Sequence, residues 1–255
     1  MPKHKKFIAY KDAAHATVGK FYEFKNFTDS TADLYFYGDI VSDWWGAWQQ
    51  EDQYPDAIRN FLAEAEGRDL NIYINSGGGS VFAGIAIYNM LKRYPGKKNC
   101  YVDALAGSIA SILPFVADDK PTIPANAFLM IHKPWAGCEG NANEMRKMAD
   151  DLDRIEVGIW KIYEDHLAEG ITIDQIKELM DKETWLDGES AAQYFNVSVG
   201  EENAIAAAVQ EYTQTYCKNI PESIRQTGEE NPTDHAKELE MKRNLVSLAT
   251  AHMGI

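Results

Sequence analysis

Short apolar runs and longer amphipathic segments alternate along the first half of the chain. Runs rich in Ile, Val, Leu, Phe and Tyr, which predict buried strands, lie at 34–40, 70–75, 100–105 and 126–132. Between them, apolar residues recur at helical spacing at 56–66 and 81–94, and another helix is predicted over 110–117. Strands that alternate with helices predict right-handed βαβ units. We therefore expect an α/β fold with a largely parallel sheet.

A long amphipathic helix is predicted over 141–168, after the last of these strands. Its apolar positions are Met145, Met148, Leu152, Ile155, Ile159 and Ile162. The segment is longer than a crossover needs, so we expect it to contact a partner surface. For its N-terminal half, a packed core helix is an equally good interpretation. Shorter helices are predicted at 173–182, 188–194 and 203–216.

The domain boundaries follow from changes in composition. Residues 1–30 are polar and aromatic without a clear period, and residues 221–233 are rich in Pro, Gly and Glu. We expect an N-terminal arm at 1–30, one domain at 31–220, and a linker and C-terminal tail at 221–255.

Charge and cysteine content narrow the class of function. The chain carries 39 acidic and 25 basic residues, for a net charge of -14, which argues against binding the phosphate backbone of nucleic acids. No window approaches the roughly 18 apolar residues that a membrane span requires. Three cysteines at unrelated spacings fit neither a disulfide framework nor a zinc site. We expect a cytoplasmic protein with reduced thiols and no metal or cofactor.

Two glycine-containing turns follow predicted strands. The first is Asn75-Ser76-Gly77-Gly78-Gly79, where backbone N–H groups can point at a ligand without obstruction by side chains. The second, Ala106 to Ser111, brings Ser111 to a strand-to-helix turn at the positive end of a helix dipole. A tight turn and a helix N-cap are the simpler interpretations of these two features.

A serine nucleophile needs a base, and the segment Met130-Ile131-His132-Lys133-Pro134 offers one. His132 closes an apolar strand, and the carboxyl ends of parallel strands form the reactive edge of a sheet. The other five of the six histidines lie in polar or terminal contexts. Three features of this kind, all at strand ends, predict a nucleophilic serine site.

These segments, in this order and spacing, resemble the three signature motifs of the Clp protease proteolytic subunit. The similarity extends from about residue 34 to residue 200 and includes the downstream run that begins at Trp185-Leu186. It implies a ClpP/crotonase-like fold of repeated βαβ units. It also implies Ser111 as nucleophile and His132 as general base, with the Gly78 and Ile112 amides as the oxyanion hole. The family's acidic residue, an aspartate, falls on Glu183, and Asp181 is a competing candidate.

The resemblance implies a serine endopeptidase that hydrolyses peptides or unfolded proteins inside a chamber. The long helix matches the family's handle, through which two heptameric rings stack, so we expect a ring-forming homo-oligomer. Residues 1–30 do not resemble the family's N-terminal segment, which contacts an AAA+ unfoldase, so dependence on such an ATPase stays open. An unfamiliar N-terminus together with an extended tail resembles the Clp-like proteases of phages and prophages, which act in head maturation.

Three other functions remain as alternatives. A crotonase-type acyl-CoA enzyme would use the same paired amides, but usually has glutamates where this chain has Ser111 and His132. A ring scaffold with an inactive site is favoured only by Glu183 in place of aspartate. A signal-peptide peptidase of related fold would use a Ser-Lys pair and a membrane span, so His132 argues against it.

Overall fold

A seven-stranded sheet organises the part of the chain that the structure describes. The structure is a computed structural model, and it describes residues 28–43, 52–201 and 219–220. The strands are β1 (Thr31–Phe36), β2 (Asp69–Ser76), β3 (Lys98–Gly107), β4 (Thr122–Pro124), β5 (Phe128–Ile131), β6 (Thr184–Asp187) and β7 (Ser198–Gly200). The strand order is β1-β2-β3-β4-β7, with β5 paired to the end of β3 and β6 paired to β5. Only the β5–β6 pair is antiparallel among these strands, so the predicted largely parallel sheet is confirmed.

Helices connect the strands. They are α1 (Pro55–Ala65), α2 (Val81–Arg93), a 3₁₀ helix (Ser108–Val116), α3 (Ala142–Glu164), α4 (Ile173–Asp181) and α5 (Gly188–Tyr194). Local sequence explains several of their ends. Pro55 occupies the first turn of α1, where its missing N–H costs nothing. Asn141 and Glu144 form a capping box that starts α3.

The core lies between the sheet and these helices. Alternate residues of the central strands, such as Leu70, Ile72 and Ile74 of β2, are fully buried and pack with apolar residues of α1 and α2. The period of two that predicted these strands thus reflects one covered face. The same cluster takes in the 3₁₀ helix, whose nine residues are all buried. The carboxyl ends of β2, β3 and β5 therefore pack against this buried 3₁₀ helix.

Most predicted elements appear within two or three residues of their expected bounds, although β1 and α3 each end four residues earlier than predicted. The junction after β3 is displaced by two residues on each side. The strand continues through Gly107, and the following helix begins at Ser108 instead of at residue 110. The prediction ends the strand too early because the last four residues of β3 are buried on both faces and lose the alternation. This shift of the junction decides which serine occupies the turn.

The predicted long helix forms as α3 (Ala142–Glu164), and its two halves differ in burial. Residues 142–147 are exposed and Met145 is 50% exposed, whereas Ile159 and Tyr163 are buried in the core. Of the two interpretations of its N-terminal half, the packed core helix is wrong within the described residues. An exposed amphipathic half-helix fits the expected partner surface.

Several predictions fall outside the described residues. These are residues 1–27 of the arm predicted at 1–30, the helix at 203–216 and the tail at 221–255. The division into arm, domain and tail stays a prediction. No helix in the described ranges combines the length and apolar character needed to cross a membrane.

Candidate active site

A serine and a histidine meet at the carboxyl ends of β3 and β5. Ser108 follows β3 directly and His132 follows β5 directly, and these two strands are hydrogen-bonded neighbours. The Ser108 Oγ and His132 Nε2 atoms are 2.7 Å apart, which is a normal hydrogen-bond distance. Parallel pairing of the two strands places both side chains at the same edge of the sheet.

Ser108 adopts a left-handed backbone conformation, with φ of 51°. A non-glycine residue in this region costs about 1–3 kcal/mol and persists only where its surroundings enforce it. Here the residue turns the chain from β3 into the 3₁₀ helix, and this turn presents Oγ to His132. Ser108 also opens the first turn of that helix, where N–H groups lack partners within the helix.

The surroundings of His132 favour the neutral form of its imidazole. Burial lowers its pKa below the ordinary value of 6.5, and the negative charge of Glu183 opposes this shift. Because burial is the larger effect, the imidazole is neutral at pH 7 and its Nε2 can accept a proton.

The register of the β5–β6 pair brings Glu183 toward His132. Ile131 pairs with Thr184, so the next antiparallel position sets His132 opposite Glu183. Glu183 is left-handed, with φ of 49°, and its Oε1 accepts a 2.6 Å hydrogen bond from the Asn219 backbone N–H. The competing Asp181 is instead bound to Lys133 Nζ at 2.6 Å. Between the two predicted acids, the geometry favours Glu183.

Gly78 lies against the Ser108 turn. A methyl group on its Cα would come within 2.7 Å of both Ser108 Cβ and the Gly107 carbonyl oxygen, and within 3.0 Å of the Ile109 nitrogen. Its φ of 103° also suits only glycine. The Gly78 N–H makes a long hydrogen bond of 3.2 Å to Ser76 Oγ. Gly78 and Ile109 thus bring two backbone amides next to Ser108.

A cleft of about 310 Å³ opens over these groups. Its lining residues are Gly79, Ser80, Val81, Ser108, His132, Pro134 and Trp135. The polar groups of the wall sit beside apolar side chains, an arrangement typical of ligand sites. Within the described residues, no group of three or more His, Cys, Asp or Glu side chains could hold a metal ion.

Comparison with known proteins decides the family. The model of the Clp protease family matches residues 52–197, more than half of the chain. The chain belongs to the Clp protease family. It is 30% identical over 129 residues to an ATP-dependent Clp protease proteolytic subunit of Bacteroides fragilis, covering 50% of this chain and 61% of that protein. It is 31% identical over 134 residues to proteolytic subunit 1 of the ATP-dependent Clp protease of Salinibacter ruber, covering 52% of this chain and 56% of that protein. It is 33% identical over 151 residues to proteolytic subunit 2 of Corynebacterium efficiens, covering 56% of this chain and 75% of that protein.

The predicted pairing of Ser111 with His132 is wrong. Ser111 lies inside the 3₁₀ helix with no exposed surface, and its Oγ is 2.6 Å from Tyr163 Oη. The prediction sets the Clp protease motif three residues too far along the chain, on the Ala-Ser of Ala110-Ser111. Ser108 occupies the strand-to-helix turn that was expected at Ser111.

Ile112, the predicted second oxyanion donor, does not lie at the strand-to-helix turn. Ile112 is fully buried and lies one turn into the 3₁₀ helix, where N–H groups serve the helix itself. The amide nitrogen of Ile109, directly after Ser108, lies beside Gly78. The structure brings His132 and Gly78 to Ser108 and Glu183 to His132, and the roles that the resemblance implies for these residues stay predictions.

One signal in the sequence could have found Ser108. Gly107-Ser108 directly follows the small residue Ala106, and a reactive serine requires a sharp turn at the strand end itself. Three more residues would carry a helical chain into the core. The sequence contains this constraint, but the early end predicted for β3 hides it.

Proposed function

We propose that the chain is a serine endopeptidase of the Clp type, with Ser108 as nucleophile and His132 as general base. The observation that carries this proposal is the 2.7 Å contact between Ser108 Oγ and His132 Nε2, at a left-handed turn between β3 and the 3₁₀ helix. Glu183 orients His132 and stabilises the imidazolium. The Gly78 and Ile109 amides form the oxyanion hole.

The reaction begins when Ser108 Oγ attacks the carbonyl carbon of a peptide bond and its proton moves to His132 Nε2. The carbonyl oxygen becomes an oxyanion between the two amides. This anion is a stronger acceptor than Ser76 Oγ, so it displaces the long 3.2 Å bond of the Gly78 N–H. His132 then gives its proton to the leaving nitrogen as the C–N bond breaks. Water deprotonated by His132 hydrolyses the acyl-enzyme, and the proton returns to Ser108 Oγ.

The substrates and partners belong to the same proposal. The relatives above are named as proteolytic subunits of an ATP-dependent protease, and the chain spans 61% of the Bacteroides fragilis protein. We infer peptide or unfolded-protein substrates and a homo-oligomeric ring, supported by the exposed half of α3. A heptameric ring, an AAA+ unfoldase, a role in phage head maturation and a cytoplasmic location stay predictions.

The test is covalent labelling of the full chain with a fluorophosphonate and mapping of the adduct by mass spectrometry. We expect an adduct on Ser108, no adduct in Ser108→Ala, and an adduct still on Ser108 in Ser111→Ala. The two alanine variants are matched, because each removes one hydroxyl from the same helix. An adduct on Ser111 would contradict the assignment. No adduct in protein that forms rings would favour the inactive scaffold.

A further inference from the structure

A buried pair of hydroxyl groups lies directly behind Ser108. Ser111 has no exposed surface and Tyr163, on α3, is 1% exposed, and their oxygens are 2.6 Å apart. Ser111 Oγ also makes a short hydrogen bond to the backbone carbonyl oxygen of Ser108. The proposed mechanism gives neither side chain a role.

The direction of both hydrogen bonds follows from simple bookkeeping of protons. A carbonyl oxygen can only accept, so Ser111 must use its single proton on Ser108. The Tyr163 hydroxyl must therefore donate to Ser111 Oγ. Burial raises the pKa of Tyr163, which keeps this donor protonated. A directed chain of two hydrogen bonds thus runs from α3 to the carbonyl of Ser108.

That carbonyl belongs to the same rigid peptide plane as the Ile109 N–H. In a trans peptide the C=O and N–H bonds point in opposite directions, so a group that holds the oxygen also aims the hydrogen. The Ile109 N–H is the proposed oxyanion donor, and its nitrogen lies beside Gly78. Ser108 itself is in a conformation that costs free energy and needs external support.

We propose that Ser111 and Tyr163 are positioning residues, which hold the Ser108–Ile109 peptide plane so that the Ile109 N–H points into the oxyanion hole. This inference rests on the proposed function of Ser108. It gives the serine that the sequence suggested as nucleophile a different task in the same site.

A purely structural role for the pair is the competing explanation. Two buried hydroxyls can attach α3 to the 3₁₀ helix without any influence on the reaction. The two explanations differ when both hydroxyls are removed. A double variant leaves no orphaned tyrosine hydroxyl, so it regains stability relative to Ser111→Ala, yet it still lacks the support on the Ser108 carbonyl.

The experiment measures time-dependent fluorophosphonate labelling of the full chain, separated into the maximal rate kinact and the half-saturating concentration KI. The variants are Ser111→Ala, Tyr163→Phe and the double variant, and stability is measured by urea unfolding. The control is Tyr94→Phe, because the buried Tyr94 hydroxyl donates to the Arg68 carbonyl at 2.9 Å, near the start of β3 and away from the site.

We expect kinact to fall by about 10- to 100-fold in Ser111→Ala with KI unchanged, since small misplacements of catalytic groups cost this much. In Tyr163→Phe, kinact should fall less, because Ser111 keeps its hydrogen bond to the Ser108 carbonyl oxygen. The double variant should regain stability and stay slow, and Tyr94→Phe should lose stability and label at the wild-type rate. Wild-type kinact in both single variants, or recovery of kinact in the double variant, would overturn the inference.

The two levels of failure are distinguishable. A wild-type chain that is not labelled at Ser108 removes the proposed function and this inference with it. A wild-type chain labelled at Ser108, with variants that label equally fast, removes the inference alone.

Discussion

Replacement of Gly78 by alanine tests the oxyanion hole most directly. The added methyl group would lie 2.7 Å from Ser108 Cβ and from the Gly107 carbonyl oxygen. This is about 0.8 Å closer than the optimal separation of ~3.5 Å between carbon atoms. The overlap can be relieved only if the Ser108 turn moves away by a similar distance, since both contacts are to that turn. A misplacement of about 1 Å costs on the order of 10²-fold in rate.

The same substitution also disturbs an oxyanion donor. Loss of one donor costs about 10²- to 10³-fold in comparable sites. We therefore expect kinact for fluorophosphonate labelling of Ser108 to fall by about 10²- to 10³-fold in Gly78→Ala. The substitution also forces a left-handed conformation on alanine, which adds a cost of ~1–2 kcal/mol in the free energy of unfolding.

Two other glycines separate these effects. Gly170 has φ of 82° and no atom within 4 Å of the position that an added methyl group would take, so Gly170→Ala introduces strain without a clash. Gly137 does not have a left-handed φ, and no atom lies within 4 Å of the position that an added methyl group would take there. We expect Gly170→Ala to lose ~1–2 kcal/mol of stability and Gly137→Ala to lose little, with both labelling at the wild-type rate. Labelling of Gly78→Ala within twofold of Gly170→Ala would refute the reasoning.

Two further predictions concern His132 and Glu183. Labelling requires neutral His132, whose pKa burial lowers below 6.5, so kinact should rise with pH to a plateau through an inflection below that value. Glu183→Gln removes the charge that raises the pKa of His132, so the inflection should move to lower pH and the plateau of kinact should fall. In the control Asp181→Asn the inflection should stay in place, because the Asp181 carboxylate binds Lys133. An inflection that both variants shift equally would contradict this role of Glu183. The second prediction compares two shortened chains, one that ends at residue 218 and one that ends at residue 220. Only the shorter chain loses the hydrogen bond from the Asn219 N–H to Glu183 Oε1, so its Ser108 should be labelled several-fold more slowly. Equal rates for the two chains would show that Asn219 has no part in orienting the acid.

The central elements were predictable because their burial follows a simple period. In β2 the residues Leu70, Ile72 and Ile74 are buried while Asn71 and Tyr73 are partly exposed, so the sequence alternates as the strand does. The start of α3 was predictable from the capping box of Asn141 and Glu144. Such local signals do not depend on the rest of the fold.

The nucleophile was harder to predict because its signal is not local. From Ala104 onward, every residue of β3 and of the 3₁₀ helix is buried, so hydrophobicity carries no boundary there. Two serines three residues apart, Ser108 and Ser111, both follow small residues. Only pairing of Leu105, Ala106 and Gly107 with β5 shows that the strand continues to Gly107, and this pairing is a long-range contact.

Backbone strain points to the same site as the motifs, and does so independently of them. Among the described residues, three other than glycine have a positive φ: Glu66, Ser108 and Glu183. Glu66 caps the end of α1, where a left-handed residue is ordinary. Glu183 directly follows Lys182, the C-cap of α4, and its N–H bonds to the Met180 carbonyl oxygen, so it too is an ordinary helix-end residue. Ser108 has no such explanation, and its side chain contacts His132. At about 1–3 kcal/mol, the fold accepts a sizeable fraction of a typical domain stability to hold Ser108 in this conformation. Selection for stability alone would favour glycine or asparagine at this position, so the presence of a serine there argues that its side chain is used.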